Sequence, residues 1–255
     1  MITFKQIVTL IKDSEIQRLQ WETRGRNMDL CYEDQVLLAM MYLRSYTTYE
    51  FLWAIFQISE TSARRISRRV ENILIKSWLF NLPKRALLQQ ELETIIIDAT
   101  ETQIQRPKKW QRKYYSGKKK KHTIKTQIVI NKTGKILSTT FTNGRKHDKK
   151  LYDESKLPIS PKTTKQADSG YQWAQKTTSN IELPNKWSKK KPLTKEQKKY
   201  NKELSSQRVK VENKIAEIKC FRIFDQKYRN RRSRFGLRFN LICGFINYEK
   251  GFKNK

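Results

Sequence analysis

Carboxylates are scarce in this chain. Against 55 Lys and Arg stand 24 Asp and Glu in 255 residues, a formal net charge of +31. Drift toward lysine alone would not leave acids so few, so the charge implies a polyanionic partner, most simply nucleic acid. Cysteine is nearly absent. Cys31, Cys220 and Cys243 are scattered, odd in number and contain no C-x-x-C pair, which excludes a disulfide framework and a zinc knuckle and points to a reducing compartment. The only histidines are His122 and His147, which excludes an imidazole-rich metal centre. No apolar run approaches the roughly 20 residues of a membrane span. The first twelve residues hold too short an apolar core for a signal peptide, and a soluble, cytoplasmic protein is expected. No internal repeat is found. Apolar residues make up 37%, including 11 Tyr, 11 Phe and 6 Trp, enough to build a core in one large domain or two small ones.

The organising stretch is residues 205–221. Val211, Ile215 and Ile218 recur at helical spacing and give one apolar stripe. Arg208, Glu212 and Lys219 fall on a neighbouring stripe. A carboxylate flanked by cations on one helical face suits a site that handles metal ions and phosphate, although such pairs also occur on solvated helices.

The first part of the chain has helical periodicity. Phe4, Ile7, Val8, Ile11, Ile16 and Leu19 mark one helix, broken at residues 24–27, and residues 33–44 mark a second. Thr47 or Thr48 can cap a third over residues 49–56, with Phe51, Leu52 and Ile55 inward. Ser59 can cap a fourth over 60–75, with Ala63, Ile66, Val70 and Ile73 inward and Thr61, Ser62, Arg64, Arg65, Arg68 and Arg69 outward. A short helix, a brief turn and a helix with hydroxyls and arginines near its start form a helix-turn-helix pattern. Arg64, Arg65 and Arg68 are its candidate DNA contacts; a packing or dimerising module with a basic face would have the same pattern.

A short helical segment is expected up to Glu93, after which the period changes to two. Residues 94–97 read as a buried strand ending in Asp98, and residues 123–131 and 135–142 alternate around a Thr133-Gly134 hairpin turn. The link after the first strand carries Lys108, Lys109, Arg112, Lys113, Tyr114 and Tyr115, then Lys118, Lys119, Lys120 and Lys121. Aromatics interleaved with cations suit backbone contact and base stacking, the other reading being a solvated basic loop. Beyond Asn143-Gly144-Arg145-Lys146-His147-Asp148 a helix is expected through Tyr152. A short strand over 164–167 delivers Asp168, and a helix follows over 171–179. Residues 181–187 read as an edge strand, because Pro184 disfavours a central place. Residues 189–202 read as a basic loop or exposed helix. Arg229, Arg231, Arg232 and Arg234 precede an apolar helix over 235–248, and residues 250–255 should fray.

This order has a carboxylate ending the first strand, one ending the fourth and one on a later helix. It resembles a ribonuclease-H-like plan, in which the two strand ends lie side by side under the helix. Three carboxylates meeting there would bind two divalent cations, Mg²⁺ or Mn²⁺ by the hardness of oxygen ligands. Ions roughly 3.5–4 Å apart serve in-line phosphoryl transfer without a covalent intermediate. Asp98-Ala99-Thr100, Tyr115-Ser116-Gly117-Lys118-Lys119 with His122 and Lys125, Gly144 with His147 and Asp148, Asp168-Ser169-Gly170-Tyr171, and Arg208, Glu212 and Lys219 follow one another in the order of a known family. On these motifs, from about Leu30 to about Phe252, the chain resembles the DDE transposases of bacterial insertion sequences, in particular the insertion-sequence-five-like group. It departs from that pattern at Ser205, where a tyrosine is usual, and at Trp173, where a glycine is usual.

The resemblance implies a helical, helix-turn-helix-like DNA-binding module over residues 1–90. It implies a ribonuclease-H-like mixed-sheet catalytic domain over 91–255. Asp98, Asp168 and Glu212 become metal-binding catalytic residues. Arg208 and Lys219 read as phosphate contacts, or else as mere partners of Glu212, and His147 and Asp148 as near-site residues or a turn-stabilising pair. The implied partners are double-stranded DNA, as the element's inverted-repeat ends and as target, and further copies of the chain, at least a dimer on DNA. Two rival readings remain at this point: a DNA-binding protein without catalysis, and a nuclease of the same fold that cuts without joining.

Overall fold

The computed structural model describes residues 2–21, 30–83, 92–171, 179–188 and 192–252. The expected break at 24–27, the segment leading to Glu93, the body of the helix after Gly170 with Trp173, the lysines at 189–191 and the last tail residues lie outside the described residues. The chain divides into two compact units. One comprises residues 1–81, 219–226 and 230–255; the other comprises 82–218 and 227–229.

The first unit holds helices α1 (Ile2–Trp21), α2 (Tyr32–Ser45), α3 (Tyr49–Phe56) and α4 (Glu60–Lys76), of which the last three begin where side chains satisfy the free amides of a first turn. Thr48 Oγ1 accepts from Phe51 N at 3.1 Å and Ser59 Oγ from Ser62 N at 3.1 Å. Three residues, Gln57 to Ser59, separate α3 from α4, and α4 packs on both α2 and α3 through Ala63, Ile66, Val70 and Leu74. Two expectations are corrected here. Phe51 and Ile55 do not point inward: they are 51% and 47% exposed, and Leu52 alone of α3 is buried, because so short a helix buries one narrow strip. Arg69 does not face out with Arg64, Arg65 and Arg68. Its guanidinium turns inward to Glu15 at 2.6 Å and to the Gln35 carbonyl oxygen, while the other three arginines are exposed.

The same unit takes in α8 (Arg222–Asp225), a 3-10 turn (Arg232–Arg234) and α9 (Phe235–Glu249). A boundary at residue 90 assigns α9 to the sheet; packing assigns it to the helical head. The reason is that α9 is apolar on most of its circumference and finds its partners in α4 and Phe80. Gly244 permits this, since a Cβ there would stand 1.6 Å from the Phe80 carbonyl oxygen. The fully buried Glu71 of α4 holds Arg238 of α9 at 2.9 Å and Arg234 at 3.1 Å.

The second unit is built on a mixed sheet. Its strands are β1 (Thr94–Gln103), β2 (Tyr115–Ser116), β3 (Lys121–Asn131), β4 (Ile136–Asn143), β5 (Thr164–Gln166) and β6 (Ile181–Glu182). β3 pairs antiparallel with β1, β2 and β4, whereas β5 runs parallel to both β1 and β6. Gly134, at φ +87°, makes the expected β3–β4 turn. β1 is longer than expected, because after leaving β5 at Ile96 it still pairs with β3 as far as Gln103. The expected edge strand over 181–187 is only two residues long.

One sheet face carries Ile95, Ile97, Val129 and Ala167, buried with Leu137, Tyr171 and Leu183. Helix α6 (Asp148–Ser155) contributes Tyr152 to that layer. Strand alternation puts Ile96 and Gln166 on the other face, and Gln166 donates to Gln207 of α7 (Lys195–Lys219). Helix α7 is ten residues longer at its start than expected. Thr194 and Gln197 form a reciprocal capping box there, with Thr194 Oγ1 accepting at 3.2 Å and Gln197 Oε1 at 3.1 Å. Its buried stripe is Leu204, Val211, Lys214 and Ile218, with Lys214 in the place expected for Ile215.

Candidate active site

The sheet register brings the two aspartates together. Ile96 on β1 pairs in parallel with Gln166 on β5, and Asp98 and Asp168 each stand two residues further along. Neighbouring parallel strands in register point the same way, so the two carboxyls lie level on the α7 face, where the strands part. Helix α7 crosses that face, fastened by the Gln166–Gln207 bond, and the next residue, Arg208, reaches into the gap. Its guanidinium lies 3.9 Å from Asp98 Oδ2, 3.6 Å from Asp168 Oδ1 and 4.0 Å from Glu212 Oε1, one turn along the helix. The three carboxylates thus surround one cation.

Asp98 is the deepest of the acids. Burial pushes its carboxyl above the ordinary range; the Ala99 amide, donating to Oδ1 at 2.7 Å, and Arg208 pull it back, and the charges of Asp168 and Glu212 push it up again. The Tyr171 hydroxyl is pushed well up, first by burial and then by Asp148, Asp98 and Asp168.

A second polar cluster lies on the opposite sheet face. Lys125 Nζ contacts Asp148 Oδ1 at 2.8 Å, the Lys146 carbonyl at 2.8 Å and Glu101 at 3.8 Å, while Thr123 Oγ1 donates to Glu101 at 2.8 Å. Asp148 thereby braces the start of α6 against β3, and its Oδ2 faces Gly170 in the turn after Asp168. His147 occupies the residue before α6 and is exposed. Lys125 belonged to the expected motif without a role; its partner Glu101 lies directly across the ladder and carried no sequence signal. Lys118, Lys119 and Lys120 are exposed at the tip of the β2–β3 hairpin, and Lys121 begins β3. Arg64, Arg65 and Arg68 belong to the helical unit, as does Lys219, the last residue of α7.

Gly144 holds the β4–α6 turn against β3. A Cβ at this position would stand 1.9 Å from Thr123 Oγ1 and 3.0 Å from two backbone carbonyls, of Thr123 and Tyr114. Gly144→Ala should therefore destabilise the sheet unit by about 1–3 kcal/mol, the usual cost of overpacking, read as a lower denaturant midpoint.

Two comparisons bear on this arrangement. The family described as DDE superfamily endonuclease matches residues 97–247, and the helix-turn-helix of DDE superfamily endonuclease matches residues 29–79. A protein of Microchaete diplosiphon described as "Probable transposase for insertion sequence element IS702" is 42% identical over 255 residues, spanning 98% of this chain and 91% of its own length. The chain belongs to the DDE transposases of insertion-sequence elements. The helical head of this transposase carries its DNA-binding helix-turn-helix, and the mixed sheet carries its endonuclease domain.

DDE endonucleases use divalent metal ions. The donors around Arg208 suit such ions in kind: all are carboxylate oxygens, and three negative charges face one positive charge. Their spacing is that of a ring about a guanidinium. Among the described residues, no three acids stand close enough to share one ion. No described helix is long and apolar enough to cross a membrane.

Proposed function

We propose that Asp98, Asp168 and Glu212 are the catalytic carboxylates of this transposase and hold a pair of divalent cations, Mg²⁺ or Mn²⁺. The observation that carries the reading is their convergence on Arg208 from two adjacent strands and a crossing helix. When bound, such ions activate a water or a 3′ hydroxyl and stabilise the leaving oxygen. The chain's own groups do the rest. Arg208 neutralises the carboxylates in the metal-free protein and turns to a DNA phosphate when the cations take its place. Lys219, farther along the same helix, is a second phosphate contact. Lys125 and Asp148 hold the 168–170 turn, and with it Asp168, in register with Asp98. His147 sits at the edge of the site and faces the DNA.

Residues 1–90 act as the module that reads the element's inverted-repeat ends, and 91–255 as the part that cuts them and joins the 3′ ends to target DNA, with the last helix of that part, α9, packed into the helical unit. Pairing two ends requires at least a dimer on DNA, working in the cytoplasm. The arginines of α4 carry the readout, because side chains on a helix in the major groove can distinguish base edges. The lysines at 118–121 act on phosphates of any sequence.

Removing residues 1–81 would strip α9 of its partners, so the test keeps the whole chain. Alanine at Arg64, Arg65 and Arg68 together should lower affinity for the ends and shrink the preference over random duplex. The salt slope should fall by roughly one for each phosphate that the variant no longer neutralises. Glutamine at Lys118 through Lys121 should weaken end and random duplex by similar factors and slow joining. Both are read by anisotropy titrations at several salt concentrations. Unchanged end preference in the triple-alanine protein would move sequence readout away from α4.

A further inference from the structure

The sheet unit also has an open cleft, lined by none of the three carboxylates or Arg208. One wall is the turn around α5 (Gln111–Tyr114) and the other is the β4–α6 connection. Two adjoining cavities make it up, of about 490 and 720 Å³. The first is lined by Trp110, Arg112, Arg145 and His147 among others; the second shares Arg112, Arg145 and His147 and adds Arg106, Tyr115 and His122. Among the described residues neither lining contains a carboxylate, and together the two contain arginines, lysines and both histidines of the chain.

Trp110 is 77% exposed, and its backbone is left-handed at φ +63°, a conformation rare for a bulky residue. An aromatic held in that conformation with its ring in solvent satisfies no packing need of the fold. Tyr115, 42% exposed, stands edge-on to His122 at 5.7 Å. Arg106 is steadied by Gln111 at 2.8 Å, and the close approach of Gly144 to β3 and to the Tyr114 carbonyl sets the distance between the two walls.

We propose that this cleft binds an unpaired nucleotide of the DNA strand being processed, with the base stacked on Trp110 and the phosphate held by Arg145 and Arg112. The proposal rests on the DNA-processing reading above and extends it to a second subsite. Exposed aromatics in a cationic groove are the recognition chemistry of single-stranded nucleic acid, because every unstacked base offers a π face. Bases in a duplex have those faces covered by each other and present only their edges and phosphates. The cavities fall in the roughly 300–1,000 Å³ range of small-ligand pockets, which suits a nucleotide and not a double helix. A third cavity, of about 970 Å³, also borders His147 and includes Gly170, two residues after Asp168, in its lining. That lining also holds Asp148, Asp153 and Glu154, so the phosphate-binding part of the surface is the cationic pair of cavities.

The test compares the full-length protein with Trp110→Ala, Trp110→Phe and Arg145→Ala, titrated without metal against a labelled oligothymidylate and a random duplex of equal length. Trp110→Ala should weaken single-strand binding roughly 5- to 150-fold, the loss of one base stack, and Trp110→Phe should retain most of the affinity. Arg145→Ala should lower the single-strand salt slope by about 0.7. Duplex affinity should be unchanged in both Trp110 variants. Since Trp110 is exposed, the variants should unfold at the wild-type denaturant midpoint. If Trp110→Ala leaves single-strand affinity unchanged, or weakens duplex to the same degree, the subsite is overturned. Wild-type protein that still binds and cuts duplex ends then leaves the transposase reading standing. Wild-type protein that binds neither DNA overturns both.

Discussion

Asp98→Asn, Asp168→Asn and Glu212→Gln should each reduce metal-dependent cleavage of the element's ends about a thousandfold or more while leaving end binding intact. Each substitution removes one anionic oxygen from a site whose function is to concentrate cations. Charge stabilisation of several kcal/mol in phosphoryl transfer, at 1.36 kcal/mol per factor of ten, sets that scale. Asp98 carries a further expectation. Its folded pKa is raised, chiefly by burial, so the charged form is disfavoured in the folded protein. Stability from this group is therefore fully present below its ordinary pKa and is lost as pH rises through the raised value, so at neutral pH the carboxylate is held at a cost. Asp98→Asn, which keeps the acceptor for the Ala99 amide, should then match or exceed the wild-type melting temperature in chelator while losing cleavage. A residue kept for stability would show the reverse, cleavage retained and melting temperature lowered.

Glu71→Ala should cost about 3–5 kcal/mol, the largest stability effect expected from a single surface-distant acid in the helical unit. Glu71 is 1% exposed and is the shared acceptor of Arg238 and Arg234, so its loss removes a buried counter-charge from two guanidinium groups. Replacing Glu71 and Arg238 together by apolar residues of similar volume should recover much of that loss, because burying the ion pair itself has a desolvation cost. Equilibrium denaturation of the single and double variants measures both. If Glu71→Ala unfolds at the wild-type midpoint, α9 is not held to the head by this pair.

The residues of the candidate site were visible in the sequence because their signals are local. Thr48 and Ser59 stand where a first turn needs an acceptor, and the structure uses both. Asp98 follows the apolar run 95–97 and Asp168 stands just before a glycine turn, which made both visible, although Asp98 proves to lie in the middle of β1 and not at its end. Their alignment follows from the parallel register of β1 and β5, which the sequence does not spell out. The Thr194–Gln197 capping box was equally local; it decides between the loop and the exposed helix that the lysine-rich stretch left open, in favour of the helix. What was not legible depends on partners far away in sequence. Arg69 sits in the same arginine run as Arg68, yet Glu15 and Gln35 draw it inward. The apolar surface of α9 announces burial without saying against which element. Trp110 and Arg145 belong to different loops, and only the fold puts them on two walls of one cleft.

The most direct test of the account incubates the full-length protein with duplexes carrying the two ends of its own element and a target plasmid, with Mg²⁺, with Mn²⁺ and with chelator. Cleavage that exposes 3′ hydroxyls at the ends, and covalent joining of those ends to the plasmid, are the expected products. Both should occur only with the divalent ion, and both should be lost together in Asp98→Asn, Asp168→Asn and Glu212→Gln. Cleavage that persists in chelator or in any of the three variants, or cutting that never yields joined product, would contradict it.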